Sequence, residues 1–312
     1  MLKIVNKISL VAILFGATFF LSSCEDDDST SEETTDQKSI VQIASEDESF
    51  SILVEALTKA DLASTLEGEG PFTVFAPTNA AFENLFATLG VSGIDELSAD
   101  ALTPILLYHV VNASAMSTDL SNGYITTMST STPDNAGSSI MVNVDDGVTL
   151  NGSSAVISAD IEASNGYIHA IDEVILPPSV VDIALSNPNF SLLVEALVKA
   201  DLVDALSEEG PFTVFAPTNA AFEALFTQLS VDGIGDISVE TLTPILLYHV
   251  IGDNVTSSEV TSGMVPTLNT SADLSIDVSD AGVKLDDSAN VITVDVQGTN
   301  GVIHAIDQVV LP

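Results

Sequence analysis

The sequence predicts two tandem copies of one α+β domain, and three observations predict it. Long blocks recur at a fixed displacement, an apolar helical stripe opens each copy, and alternating strand patterns close it. Gly70 to Glu83 returns unchanged as Gly210 to Glu223, and Leu102 to Val110 returns as Leu242 to Val250, both displaced by 140 positions. Asn165-Gly166-Tyr167-Ile168-His169-Ala170-Ile171-Asp172 returns as Asn300-Gly301-Val302-Ile303-His304-Ala305-Ile306-Asp307, now displaced by 135. The difference falls in the Ser/Thr/Pro loop around Ser129 to Ser138. A unit this long is a whole domain and not one turn of a solenoid. The expected domains are 39–178 and 179–312, with Pro177-Pro178 leaving almost no flexible linker between them.

Before the first copy the chain reads as a targeting segment and a tether. Lys3 and Lys7 precede an uncharged apolar run from Ile8 to Leu21, followed by Leu21-Ser22-Ser23-Cys24, the order of a secretory signal over residues 1–23. The run is short for a spanning helix, which needs about 20 residues. Its end resembles the lipobox of bacterial lipoproteins, which implies acylation of Cys24, the single cysteine. An unpaired thiol exported to an oxidising compartment has few other uses, and several acyl chains on one residue anchor stably. Glu25 to Gln37 has no apolar residue, so 24–38 is expected to be an acidic flexible tether. Acids directly after the cysteine also resemble the export signal of Bacteroidetes surface lipoproteins, which implies the outer face of the outer membrane.

Within each copy the periodicity changes in a fixed order. Ile52, Leu53, Ala56, Leu57 and Ala60 keep one helical face, as do Leu192, Leu193, Ala196, Leu197 and Ala200. Thr73-Val74-Phe75 is a short strand stopped by Pro77, and Thr78 or Asn79, with Asn219 in the second copy, caps a helix whose first turn carries Glu83. Thr103 is expected to cap the next helix with Pro104 at its first position, where a missing N–H costs nothing, and Leu102, Ile105, Leu106, His109 and Val110 follow its buried face. The second half alternates. Ile140, Val142 and Val144 oppose Met141 and Asn143, a turn follows at Asp146-Gly147, and Leu274, Ile276, Val278, Val283 and Leu285 repeat the pattern. Helices first and a mainly antiparallel sheet after them make the α+β class.

Composition excludes several functions. The chain holds 45 acids against 6 lysines and no arginine, and loss of the first 23 residues, with two of those lysines and no acid, takes the net charge from −39 to near −41. That field repels nucleic acid and attracts cations weakly and diffusely. With 46% hydrophobic residues the chain still builds real cores, so the acids decorate folded surfaces. No cofactor or catalytic residue is expected, because Gly-x-Ser-x-Gly, a phosphate loop and an arginine for an anionic substrate are all missing. No metal site is expected: the histidines of one copy lie far apart in sequence, and Asp145-Asp146-Gly147 and Asp286-Asp287 lack the alternating ligands of a calcium loop.

Phe72-Thr73-Val74-Phe75-Ala76-Pro77-Thr78-Asn79-Ala80-Ala81-Phe82, the Leu-Leu-Tyr-His-Val block and the closing Asn-Gly-x-Ile-His-Ala-Ile-Asp together resemble the fasciclin domain family, in order and in both copies. The resemblance implies a wedge-like sheet flanked by helices and a non-enzymatic role in cell adhesion or matrix contact. It also implies an interaction motif at Tyr108, His109, Tyr248 and His249. The apolar stripe that carries His109 and His249 favours packing instead, as does the strand setting of His169 and His304. The expected partner is a protein or glycan at the cell surface, or a second copy of the chain, with the membrane engaged through the lipid. A carbohydrate-binding surface module and a periplasmic scaffolding lipoprotein remain the alternatives. If Cys24 is the acylated N-terminus, Cys24→Ser should release the protein from the membrane fraction or block its processing. Unchanged detergent partitioning of that variant would refute the lipobox.

Overall fold

The invariant Phe-Thr-Val-Phe-Ala-Pro becomes the strand about which each repeat is built. The computed structural model describes residues 37–312; the signal segment, Cys24 and all but the last two residues of the tether lie outside the described residues. In the first repeat, helices α1 (Ile40–Glu46), α2 (Ser51–Lys59) and α3 (Ala63–Leu66) precede β1 (Phe72–Pro77), and α4 (Asn79–Leu89) and α5 (Ala99–Tyr108) follow it. Then come β2 (Val110–Val111), β3 (Gly123–Thr126), β4 (Ser139–Asn143), β5 (Thr149–Leu150), β6 (Ser154–Ala163) and β7 (Gly166–Ile171). The second repeat runs α6 (Val180–Ser186), α7 (Ser191–Lys199), α8 (Val203–Ser207), β8 (Phe212–Pro217), α9 (Asn219–Leu229), α10 (Val239–Tyr248) and β9 (Val250–Ile251). It closes with β10 (Gly263–Pro266), β11 (Asp273–Ser279), β12 (Gly282–Leu285), β13 (Ala289–Gly298) and β14 (Gly301–Ile306).

Each repeat forms one seven-stranded mixed sheet, ordered β2-β1-β7-β6-β5-β4-β3 and β10-β11-β12-β13-β14-β8-β9. β1 and β7 run parallel, as do β8 and β14, and the other pairings are antiparallel. A parallel strand is covered on both faces, which explains a run of apolar residues without alternation. Phe72, Val74 and Ala76 face the helices with Phe50, Leu53, Leu66, Phe82, Phe86 and Leu102. Phe75 points the other way, into a second core with Tyr108, Ile140, Val142, Leu150 and Ile171. The second repeat has the same two cores, around Val214 and around Phe215.

Local chemistry sets the helix starts, and it differs from the sequence expectation in three places. α5 is capped by Ser98, whose hydroxyl accepts from the Ala101 N–H at 3.2 Å, so Pro104 lies inside the helix and not at its first position. Thr103 is no cap, and its hydroxyl donates back to the Ala99 carbonyl. Thr78 caps α4, so Glu83 falls past the first turn. α5 ends at Tyr108, which leaves His109 as its C-cap and Val110 on β2, off the helical stripe.

The longer loop of the first repeat lies where the displacement changes, at 127–138 between β3 and β4 against 267–272 between β10 and β11. Near it the repeats dock. Tyr124 on β3 packs onto the core of the second repeat and its hydroxyl accepts from Asn187 Nδ2 at 2.8 Å. The Gln297 N–H donates to Ser139 Oγ at 3.0 Å, and the Asn254 amide bonds the Asp134 carboxylate. β4 is therefore buried on both faces: Ile140 and Val142 face their own core, while Ser139 and Met141 are also buried. Alternation reads the exposed side of a strand correctly only while nothing docks on it.

One asparagine per repeat ties the helical start to the sheet. Asn165 Oδ1 accepts the first N–H of α1, from Ile40, at 3.0 Å, while Nδ2 donates to the Leu66 and Gly68 carbonyls at 2.7 and 2.9 Å. Asn300 does the same for Val180, Leu206 and Glu208. Asn165→Ala removes the partners of buried groups that water cannot reach, so urea unfolding should show a loss on the order of 3 kcal/mol. A loss below about 1 kcal/mol would show that the turn holds without its side chain.

Candidate functional site

The tyrosine-histidine pair lies at the end of α5, turned inward. His109 is fully enclosed, with Nδ1–H donating to the Ile105 carbonyl at 2.7 Å and Nε2 accepting the Ile175 N–H at 3.1 Å. Both ring nitrogens are occupied, which fixes the neutral tautomer. Its own carbonyl receives the Phe75 N–H at 2.9 Å, so the residue stitches helix, β1 and the closing segment together. His249 repeats this with Ile245 at 2.8 Å and Val310 at 3.1 Å. Burial lowers both imidazoles from 6.5 to about 4.

Tyr108 is equally enclosed. Its hydroxyl donates to the Ser139 carbonyl at 2.8 Å and accepts from Asn151 Nδ2 at 2.9 Å, and burial raises the phenol well above its ordinary range. In the second repeat Asp286 replaces Asn151, so Tyr248 faces two acceptors, the Asp273 carbonyl at 3.1 Å and Asp286 Oδ2 at 3.0 Å. Burial first, and then the hydrogen bond to Asp286, push that phenol up to about 12.

His169 on β7 stacks near Phe75, with ring centroids 5.6 Å apart. It uses the opposite tautomer: Nε2–H donates to the Ala115 carbonyl at 3.0 Å and Nδ1 accepts the Asp160 N–H at 3.1 Å. Asp160 lies at a bulge in β6 with φ +60°, and its carboxylate accepts the Ser117 N–H and hydroxyl, both at 2.6 Å. The Ser117 bonds hold the Asp160 carboxyl below the usual range. His304, Asp295 and Ser257 repeat the arrangement, with Asp295 at φ +59° and burial lowering His304.

A serine, an aspartate and a histidine thus meet in each repeat, wired in the wrong order for nucleophilic catalysis. The serine hydroxyl donates to the carboxylate and not to the imidazole, and the backbone occupies both imidazole nitrogens, so the imidazole cannot serve as the base for the hydroxyl. The assembly is a strut that fastens the segment after β2 across the sheet. Sequence reasoning missed Ser117, Asp160, Ser257 and Asp295. The signal was present as Ser-x-(Asp/Glu) at 117–119 and 257–259 and a lone aspartate recurring at 160 and 295.

Asn79 and Asn219 hold helix starts across space. α2 has no side-chain cap of its own. Asn79 Oδ1 accepts the Ile52 N–H at 3.0 Å, and Nδ2 donates to the Glu48 carbonyl at 2.8 Å and Ser51 Oγ at 2.9 Å. Asn219 does this for Leu192, Pro188 and Ser191. Among the described residues no group of three or more His, Cys, Asp or Glu is arranged to hold a metal ion, and no helix is long and apolar enough to cross a membrane. Cys24 lies outside the described residues.

Known proteins resemble this chain in sequence. A family model described as the fasciclin domain matches residues 48–177 and 188–312. Protein sll1483 of Synechocystis is 48% identical over 134 residues, covering 43% of this chain and 73% of that protein. Human periostin is 32% identical over 259 residues, covering 80% of this chain but only 29% of periostin. A solved FAS1 domain pair from the insect cell adhesion molecule fasciclin I aligns over 87% of this chain and 96% of its own, with a TM-score of 0.47 and 20% identity.

The histidine burial carries a pH signature. A histidine held at about 4 in the fold, against 6.5 when unfolded, binds its proton more readily in the unfolded chain, so stability is full above pH 6.5 and declines as pH falls toward 4. His109 and His249 each contribute on the order of 3 kcal/mol across that window. The melting temperature should therefore drop between pH 7 and pH 5, before most carboxylates titrate. A flat profile over that range would refute the neutral, enclosed histidines.

Proposed function

The chain belongs to the fasciclin domain family, carrying the domain twice, and from that premise we propose that it is a non-enzymatic adhesion protein of the outer cell surface, anchored through acylated Cys24. One observation carries the reading. All four histidines and both motif tyrosines are turned inward and hydrogen-bonded within the fold, so the side chains best suited to chemistry act as structure. Function then falls to the exterior.

That exterior is acidic and largely unneutralised. Among the described residues Lys59 and Lys199 pair with no acid; they donate to the backbone carbonyls of Ile94 and Asp95, and of Ile234 and Gly235. A surface of this kind engages partners through polar contacts or bridging cations, and its attachment weakens with salt or chelator. The acidic tether would hold the first repeat on the order of 20 Å from the lipid, within reach of a neighbouring cell or matrix.

Protease added to intact cells should degrade the chain, and deleting the gene should reduce cell aggregation or attachment, with chelator reproducing part of the loss. Full protection from external protease would place the protein on the periplasmic face as a scaffold. Unchanged attachment of the deletion strain on every surface would sink the adhesion reading.

A further inference from the structure

Where the repeats dock they leave a cleft of about 480 Å³, walled by β3, β4 and the turn after β4 on one side and by the segment after α6 and the middle of β13 on the other. Its polar lining is Asn122, Tyr124, Asn143, Asp145, Asn187, Asn189 and Thr293, and its apolar lining includes Met141 and Val294. This volume lies within the range of about 300–1,000 Å³ usual for small-ligand sites.

The side chains are set before any ligand arrives. Asn122 Oδ1 accepts the Val144 N–H at 2.7 Å and its Nδ2 donates to Asp145 Oδ1 at 2.8 Å. Asn143 is held on both sides of its amide by Asp145, and Asn187 bridges the Asn189 N–H at 3.0 Å and the Tyr124 hydroxyl at 2.8 Å. Hydrogen-bonding capacity for a ligand remains at three side chains, one of them the Thr293 hydroxyl, which makes no hydrogen bond among the described residues. The Tyr124 hydroxyl accepts from Asn187 and retains its own proton, and the Asn189 side chain makes no hydrogen bond among the described residues. Rigid, prearranged polar groups lower the ordering cost of binding.

The repeats supply an internal control. Strand register places Met264 at the position of Tyr124, Ser262 at that of Asn122 and Asp277 at that of Asn143. In the other direction Asp47 and Ser49 stand where the second repeat has Asn187 and Asn189. Core blocks are identical between the repeats, yet these five positions change, and on the side where the two repeats meet four of them are amides and the fifth is Tyr124. In a chain with 45 acids and 6 lysines the cleft is a nearly uncharged patch. Its one carboxylate is engaged by two amides, and no lysine lines it. An anion finds no counter-charge there, and a metal ion finds one carboxylate already occupied. A free amide at Asn189, a phenol proton at Tyr124 and a free hydroxyl at Thr293, beside the apolar surface of Met141 and Val294, suit a molecule with many hydroxyls and apolar C–H faces.

We infer that the cleft between the repeats is a binding site for a neutral glycan chain. The inference deepens the adhesion reading and rests on it for the source of the ligand, a neutral polysaccharide at a cell surface. The test is calorimetry of the full chain with cellohexaose, laminarihexaose and mannohexaose, with oligogalacturonate as the anionic control. At least one neutral hexasaccharide should bind, and the anion should not. Asn189→Ala should weaken binding on the order of tenfold with an unchanged melting temperature, since its side chain supports nothing in the fold, and Tyr124→Phe should weaken it comparably. Absence of binding to all three neutral probes, equal or tighter binding of oligogalacturonate, or wild-type affinity in Asn189→Ala each overturns the site. Cells carrying Asn189→Ala that adhere like wild type, although glycan binding is lost, overturn the cleft as the adhesive surface and leave the adhesion reading standing. Loss of adhesion together with glycan binding supports both.

Discussion

Each repeat depends on one close approach, where β7 begins alongside β1. A Cβ on Gly166 would lie 1.8 Å from the Phe72 carbonyl oxygen, and one on Gly301 would lie 2.1 Å from that of Phe212. Glycine also tolerates the φ of +148° and +157° that these positions adopt. From that point the parallel register runs from Phe72 opposite Gly166 to Pro77 opposite Ile171. It fixes which residues of β1 meet the helices and which meet the second core. The neighbouring asparagine, by accepting the first N–H of α1 and donating to the carbonyls of Leu66 and Gly68 at the end of α3, closes the helical layer onto the same point. The family motif at the end of the domain is thus a statement about backbone proximity as much as about side chains.

Patterns set by near neighbours were legible in the sequence, and long-range ones were not. The α2 stripe follows from periodicity because one buried face decides it, the short β1 run from its unbroken apolar residues, and the inward set of Ile140, Val142 and Leu150 from alternation toward the repeat's own core. α1 escaped the periodicity although Ser39 and Gln42 form a capping box, the side chain of Gln42 accepting the Ser39 N–H at 2.9 Å. Pro104 misled, because Ser98 supplies a better start further upstream and the helix absorbs the proline. Of Thr78 and Asn79, either of which reads as the cap of α4, Thr78 takes that place and Asn79 secures a helix start 27 residues earlier. Met141 read as an outward residue because nothing in its strand announces that a second domain docks there.

The candidate site divides in the same way. The tyrosine-histidine and histidine-alanine motifs stood out because they are identical or nearly so in both repeats, and in the fold that identity belongs to a shared internal frame. Ser117 and Asp160 belong to that frame too but are scattered over the chain, so only the folded arrangement brings them together. The cleft belongs to neither repeat. Its residues are those at which the copies differ, and comparing the copies for what they share would pass over it.

Among the described residues, docking of one repeat on the next leaves the matching faces unpaired on the other side of each repeat, and a contact of this head-to-tail kind does not close on itself. Repeated between molecules, it would grow a filament. On those unpaired faces acids replace neutral residues: Asp47 and Glu48 stand in the first repeat where Asn187 and Pro188 stand in the second, and Asp273 and Asp277 stand in the second where Ser139 and Asn143 stand in the first. Joining two chains by the same geometry would press carboxylates against carboxylates, with no arginine and few lysines to separate them. Charge therefore opposes a polymerisation that the shared fold would otherwise permit.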